Sequence, residues 1–508
     1  MNNRCLVLAA LVFLQGCFLF AAGPTQSQVY SRKVVERHIL RFEFEAATQL
    51  LSVCSDPYAK AYYLNHIQFM RVFASDDPVI KEKFYQSCDQ SLQVFEKMPK
   101  TSSYRKYYQG EIYFLRGVVN FLSKKYIAAG MDMRSSYSRI KSNTEEFPAF
   151  RANYKLMGLF EAGLSAVPEN YRYITNLLGY SGDLIRGMDK MRIAAHHSEI
   201  FPEESQMLLC YAQRKLMDDT DLALKCVREL YESDPDNILY TFFLANIGVN
   251  NRRSGEALKY LVNIEKWQNS KSVFYIQFLH YLRGKAYFYT LQYDKALLDL
   301  NHFIRNYKGN NFVVDALFKR ALIYELKGDH ATAKTLFLEI TKLSKNDFDM
   351  DNYAIRYALV HAAKAFTEEE KTLQKARNLF DGGLFEESLK VLMPLVRDMS
   401  DLSDDVALEL NYRMGRIYQE KKDNVRSRNY YLIATGNRTL NTHPTFWMKV
   451  YSIYYVGAMY EDEGKLIEAV KYYKLALTHK DYLHQNDLEQ MARSGLDRLK
   501  KVGVSGKN

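Results

Sequence analysis

Side-chain catalysis needs a nucleophile beside its base, a set of metal ligands or a phosphate cradle, each at a recognisable spacing. The 508 residues of this chain show no Gly-x-x-x-x-Gly-Lys loop, no His-Glu-x-x-His and no Gly-x-Ser-x-Gly elbow. Its 11 His are dispersed, and His196-His197 is the one adjacent pair. Neighbours in a helix point about 100° apart, which suits chelation poorly. No Cys-x-x-Cys occurs, and no Cys/His cluster has zinc-site spacing. Glu368-Glu369-Glu370 and Asp404-Asp405 imitate carboxylate sites. They stand where helix starts are expected, so favourable interaction with the helix dipole accounts for them. Asn437-Arg438-Thr439 fits the glycosylation pattern, which is without meaning in a bacterial host. The expectation is a protein with no catalytic, cofactor-binding or metal-ligating residues.

What the chain does carry is a spaced signature. A small residue is followed three positions later by a large one, then by Ala or Ser nine further on. A ring or aliphatic residue comes four later, and an apolar or small one three after that. Gly284, Tyr287, Ala296, Leu300 and Phe303 show it, as do Ala321, Tyr324, Ala333, Phe337 and Ile340. Gly415, Tyr418, Ser427, Tyr431 and Ala434 repeat it, and so do Gly457, Tyr460, Ala469, Tyr473 and Ala476. Weaker copies begin at Gly117, Ala245 and Ala376. The small residue admits a neighbouring helix closely, and the residue three later lies on nearly the same helical face. On this reading a buried ring at Tyr287 is worth roughly 3 to 5 kcal/mol against alanine. Only 10 Pro and 24 Gly agree with long helices and short turns, and the 39 Tyr read as rings packed between helices.

The signature resembles the tetratricopeptide repeat, a helix–turn–helix unit of about 34 residues. The resemblance implies an all-α fold, a solenoid of antiparallel helix pairs in a superhelical array, in which stacking buries what no single repeat can bury alone. The chain then divides into a signal sequence at 1–22, a linker at 23–32 and irregular repeat-like helices at 33–200. A central array at 201–345, a linking helix at 346–372, a second array at 373–500 and a disordered tail at 501–508 follow. The block from Val167 to Asp183 breaks the pattern. Its Leu177-Leu178-Gly179-Tyr180-Ser181-Gly182-Asp183 is similar to a Leu-x-Gly-x-x-Gly-Asp segment of the tetratricopeptide protein 39 family. A helix start at Pro168 and a turn at Gly179 to Asp183 are the structural reading, and a specialised contact site the functional one.

At the N-terminus, Arg4 precedes the apolar Cys5–Leu14 run and small residues lead into a polar start, as in a secretory signal. Leu14-Gln15-Gly16-Cys17 resembles a bacterial lipobox, which implies lipidation of Cys17. Ordinary cleavage near Ala21 or Ala22 and retention as a membrane anchor are the alternatives. In an exported chain Cys210 and Cys226, on the two helices of one repeat, are compatible with a disulfide or with two separate buried thiols. The net charge of +10, from 69 basic and 59 acidic residues, is scattered along the chain. It lacks the basic stripe of a nucleic-acid binder.

The resemblance places first-helix residues in the groove of such a stack. In the well-matched repeats these are Arg283, Lys285, Lys319, Arg320, Arg413, Arg416, Tyr454 and Tyr455. Arg favours carboxylates and, with Tyr, dominates binding hot spots. The expected function is therefore a non-catalytic scaffold or adaptor that binds a protein or peptide partner, with neither nucleic acid nor metal. Exported tetratricopeptide lipoproteins of Gram-negative bacteria, Bacteroidota in particular, look similar overall and imply a periplasmic or outer-membrane location. A glycan-binding lipoprotein of the starch-utilisation type is the rival reading, although the chain has just 2 Trp. An enzyme using the Val167 to Asp183 block is a third.

Overall fold

The computed structural model describes residues 31–165, 182–217, 219–343 and 349–501. The expected N-terminal signal with Cys17, the segment containing Pro168 and Gly179, and the tail 502–508 lie outside the described residues. Among the described residues every regular element is helical. The chain forms two compact units. One comprises the residues up to Gly248 with Lys259–Leu279 and Asn306–Gly309, and the other Val249–Leu258, His280–Arg305 and Asn310 onward.

The N-terminal unit runs through α1 (Arg32–Leu40), α2 (Phe44–Ser52), α3 (Pro57–Ser75), α4 (Pro78–Glu96), α5 (Ser103–Leu122) and α6 (Tyr126–Glu146). It continues with α7 (Asn153–Ser165), α8 (Leu184–His197), α9 (Pro202–Leu216), α10 (Thr220–Ser233) and most of α11 (Ile238–Asn250). Helix starts follow from local chemistry. Asp56 accepts the backbone N–H of Tyr58 and Ala59 ahead of Pro57, and Asp77 caps Val79 ahead of Pro78. Asp183, at the edge of the irregular block, caps α8 through Arg186. Gly187 inside α8 is explained by packing. A Cβ there would lie 2.7 Å from the carbonyl oxygen of Gly158 in α7, so the two glycines let these helices touch backbone to backbone. Cys210 in α9 and Cys226 in α10 are joined by a disulfide, Cα–Cα 5.9 Å. Cys54 and Cys88 are buried thiols.

The centre of this unit is ionic. Lys155 of α7 donates to Glu111 of α5 and to Glu204 of α9 (2.5 Å), all three with fully buried side chains. His66 Nε2 of α3 is 3.2 Å from the second oxygen of Glu204, and Tyr62 donates to Glu111 at 2.8 Å. The four helices α3, α5, α7 and α9 are alternate helices of the chain, so this cluster pins one helix from each of four successive pairs. Burial alone would push Glu111 up, but the Lys155 ammonium, His66 and the hydrogen bonds Glu111 accepts together hold the carboxyl below the usual range.

The C-terminal unit contains α14 (Phe278–Tyr289) from His280 on, α15 (Tyr293–Asn306) to Arg305, α16 (Val313–Leu326), α17 (His330–Thr341) and α18 (Asp349–His361). Before these come the short α12 (Ser254–Leu261), of which the residues to Leu258 belong to this unit, and α13 (Glu265–Gln268), which belongs to the N-terminal one. After them come α19 (Glu368–Gly382), α20 (Phe385–Arg397), α21 (Asp404–Glu420), α22 (Asn424–Thr435), α23 (Phe446–Asp462), α24 (Leu466–Thr478) and α25 (Gln485–Lys501). Turns of a few residues join α14 to α15, α16 to α17, α19 to α20, α21 to α22 and α23 to α24, making antiparallel pairs of the tetratricopeptide type. The acidic runs do sit at helix starts: Thr367 and Glu370 close a capping box on α19, and Asp404-Asp405 open α21.

Within each pair the signature works as a lock. A Cβ on Gly415 would stand 2.6 Å from the Tyr431 ring, and one on Gly457 3.0 Å from Tyr473. Ser427 Oγ donates to the Gly415 carbonyl at 2.8 Å, and Ser388 Oγ to that of Ala376 at 2.7 Å. The four-later position is the deeply buried one: Leu300, Phe337, Tyr431 and Tyr473 are all 0% exposed. Among the first-helix rings Tyr418 is buried, whereas Tyr287, Tyr324 and Tyr460 are only half-buried, so the condition of a buried ring at Tyr287 is not met. The three half-buried rings lie at the edge of the pair, where Tyr460 packs against Tyr472 at 5.5 Å. Two outcomes follow. Tyr473→Ala should cost about 3–5 kcal/mol in urea unfolding, against about 1 kcal/mol for Tyr287→Ala. Lys155→Met, which strands two buried carboxylates, should cost about 3–5 kcal/mol, and the further change of Glu111→Gln should recover part of that loss.

Candidate binding cleft

Two adjoining cavities of about 280 Å³ and 190 Å³ open within the C-terminal unit. They meet at Arg377, Asp381, Trp447 and His484, which line both. The first lobe carries Arg252, Arg413 and Arg416 with Phe380, Tyr412 and Tyr451. The second carries Lys319 and Asp315 among Phe288, Tyr289, Phe318 and Tyr353.

The repeat register puts these side chains there. Arg377 follows Ala376 and Arg416 follows Gly415, each one position after the small residue of its helix. Lys319 and Arg413 stand two before theirs. Positions two before and one after are three apart and share a helical face. That face is turned from the partner helix, because the small residue between them is where the partner packs. Asp381 and Glu420, five after Ala376 and Gly415, continue it.

Ion pairs and rings hold the cations in place. Glu420 is bridged by Arg252 at 2.6 Å and Arg416 at 3.7 Å, and Phe380 lies between the two guanidiniums at 4.8 and 5.5 Å. Arg377 donates to Tyr353 and lies 3.8 Å from Asp381, while Arg413 is paired with Glu409. Lys319 reaches both oxygens of Asp315 at 2.7 Å. Lys285, 5% exposed and behind Tyr289, donates to Asn250 at 2.9 Å. Burial first, and then the neighbouring Lys319 ammonium, push Lys285 down to about 8. Burial pushes Asp315 the other way, but Lys319 and Lys285 outweigh it and hold its carboxyl low.

Six cations (Arg252, Lys285, Lys319, Arg377, Arg413 and Arg416) thus face four carboxylates (Asp315, Asp381, Glu409 and Glu420), an excess of two positive charges. The unmatched hydrogen-bonding atoms of the lining residues are donors: Arg416 Nε and Trp447 Nε1 are buried without a hydrogen-bond partner among the described residues. A surface so built is chemically complementary to an anion that brings acceptors.

Of the eight residues singled out from the sequence, Lys319, Arg413 and Arg416 line this cleft and Lys285 adjoins it. Tyr455 lies behind it, accepting from Arg416 at 2.8 Å and stacking on Tyr431. Arg283 is elsewhere. It makes a two-pronged contact with Asp299 of its own partner helix α15, at 2.7 and 2.8 Å, where His280 also binds. Arg320 is half-buried away from both lobes, and Tyr454 packs on Tyr473 at 5.5 Å. Arg283 and Arg320 come immediately before the small residue, about 100° and 160° from the groove positions two before and one after it. Arg252, Arg377, Trp447, Tyr451 and His484 were not reached by the sequence pattern, and only Arg377, one after a small residue, carries a signal that could have found it.

In the N-terminal unit, His66, Glu111 and Glu204 place ligand-type atoms within 4.8 Å of one another. The Lys155 ammonium hydrogen-bonds both carboxylates and supplies the positive charge that group needs.

No family model matches the chain, and no curated protein matches it. Among solved structures it is similar to the P58(IPK) TPR domain at 15% identity over 77% of this chain and 98% of that one, with a TM-score of 0.22. Human IFIT1 dimer with PPP-AAAA matches at 15% identity over 89% and 98%, TM-score 0.29. The APC/C hetero-tetramer Cut9-Hcn1 matches at 14% over 94% and 95%, TM-score 0.29. Scores so low decide nothing, and the fold assignment stands on the helix pairs described above.

Lys285 gives the cleft a pH signature. Its folded value near 8 lies below the unfolded value of about 10.4, so the unfolded chain binds more protons between them and stability rises with pH across that window. Urea unfolding of the protein and of Lys285→Met from pH 7 to 10.5 should show the unmodified protein gaining on the variant above pH 8.

Proposed function

We propose that this protein is a non-catalytic interaction scaffold whose C-terminal unit holds an acidic, extended segment of a partner protein in the cleft. The observation that carries the reading is the excess of two positive charges in a concave, ring-lined site whose unmatched lining atoms are N–H donors. Arginines held by their own carboxylates and rings are preorganised, so little side-chain entropy is lost when a carboxylate docks. For location, the reading is an exported protein of the bacterial envelope, lipid-anchored if Cys17 is processed. Arg4 with the apolar run after it supports export. The Cys210–Cys226 disulfide is in keeping with an oxidising compartment.

The test is fluorescence anisotropy with labelled Asp/Glu-rich, Ser/Gly-rich and Lys-rich peptides at two salt concentrations. The acidic peptide should bind and weaken as salt rises. Arg416→Gln should reduce its affinity about tenfold or more. Arg283→Gln, outside the cleft, should leave it unchanged. Equal binding of acidic and basic peptides, or equal effects of the two substitutions, would contradict the reading.

A further inference from the structure

The two lobes of the cleft differ in chemistry, and from that difference we infer that the site reads two side chains of one segment: an acidic one in the arginine lobe and a large apolar or aromatic one in the ring lobe. This rests on the reading of the cleft as an acidic-peptide site and specifies its ligand.

The first lobe has one lining carboxylate, Asp381, against Arg252, Arg377, Arg413 and Arg416. Glu420 alone is shared by Arg252 and Arg416, so its charge leaves one guanidinium unbalanced. Arg416 Nε, buried without a partner, belongs to this lobe. An incoming carboxylate meets that donor and the unbalanced charge together.

The second lobe is different. Its lining cation, Lys319, already gives hydrogen bonds to both oxygens of Asp315, and the surplus charge on Lys285 is sealed behind Tyr289, where it donates to Asn250. What remains is a wall of Phe288, Phe318, Leu322, Tyr289 and Tyr353. A second carboxylate placed there would face Asp315 and Asp381 while losing its hydration. A ring placed there would lose only water from its apolar faces, and burying a side chain of that size is worth tenfold or more in affinity.

Both lobes share the waist of Arg377, Asp381, Trp447 and His484, so one continuous ligand spans them. One unmatched donor lies along its path, Trp447 Nε1 at the waist. A main-chain carbonyl of an extended peptide is a suitable acceptor for it. The segment is therefore acidic and apolar together, in contrast to a purely acidic tail.

The experiment uses the full chain and three labelled peptides of equal length in a Ser/Gly background: four Glu alone, four Glu with two Phe, and two Phe alone. The peptide combining Glu and Phe should bind at least tenfold more tightly than the one with Glu alone, and the Phe-only peptide should bind weakly. Equal affinity of the two acidic peptides would overturn this inference and leave the acidic-peptide reading standing. Phe-only binding as strong as the combined peptide, or no binding by either acidic peptide, would overturn both. Tyr289→Ala should narrow the gap between the two acidic peptides. A uniform loss across the peptides would count against a specific apolar lobe.

Discussion

The close approach of one helix of a pair to the other, at a residue with little or no side chain, sets most of this architecture. At Gly415 and Gly457 a ring from the following helix occupies the space that a Cβ would fill. This fixes the rotation of the first helix, because only one of its faces can receive the ring. Everything else on that helix is then assigned by 100° steps. The residues two before and one after the small position turn toward the open side, while the residue immediately before it turns to the partner helix. Arg416 and Arg283 illustrate the rule: one lines the cleft, and the other is paired with Asp299 of its own hairpin. The lining of the cleft in the C-terminal unit is thus a consequence of packing register.

The two units solve the problem of buried charge differently. In the N-terminal unit Lys155 is sealed between Glu111 and Glu204, with no exposed surface on any of the three side chains. Such a cluster holds four helices in one arrangement, since each charge needs the others in place. In the C-terminal unit the cations outnumber the carboxylates and stand at the edge of an open cleft. Lys285 shows the cost, its ammonium depressed by burial and by Lys319. Surplus positive charge of this kind destabilises the chain unless an anion relieves it.

Much of the fold was legible in the sequence. The repeats at Gly284, Ala321, Gly415 and Gly457 each became a helix pair, and Gln485–Lys501 forms a terminal helix packed on the last pair, where Gly495 meets Tyr473. Burial within the repeat was less legible, because periodicity says which face a residue occupies and not how deeply its neighbour covers it. Tyr287 and Tyr473 both read as packed rings, and only the second is fully enclosed. The cleft was legible in part. Arg413, Arg416 and Lys319 come from well-matched copies, while Arg377 sits in a weaker one. Arg252 and His484 lie in turns, both at positive φ, and reach the cleft through contacts far apart in sequence that no local spacing encodes.

The central claim is that the cleft between Arg252, Arg377, Arg416 and Trp447 is where a partner docks. It is tested most directly by placing a photo-crosslinking amino acid at Trp447 and a control one at the exposed Leu298, irradiating in cells and sequencing the captured peptides. The account predicts that the Trp447 probe captures a segment rich in Asp and Glu that the Leu298 probe does not. Capture of the same segments by both probes, or of a basic segment at Trp447, would contradict it.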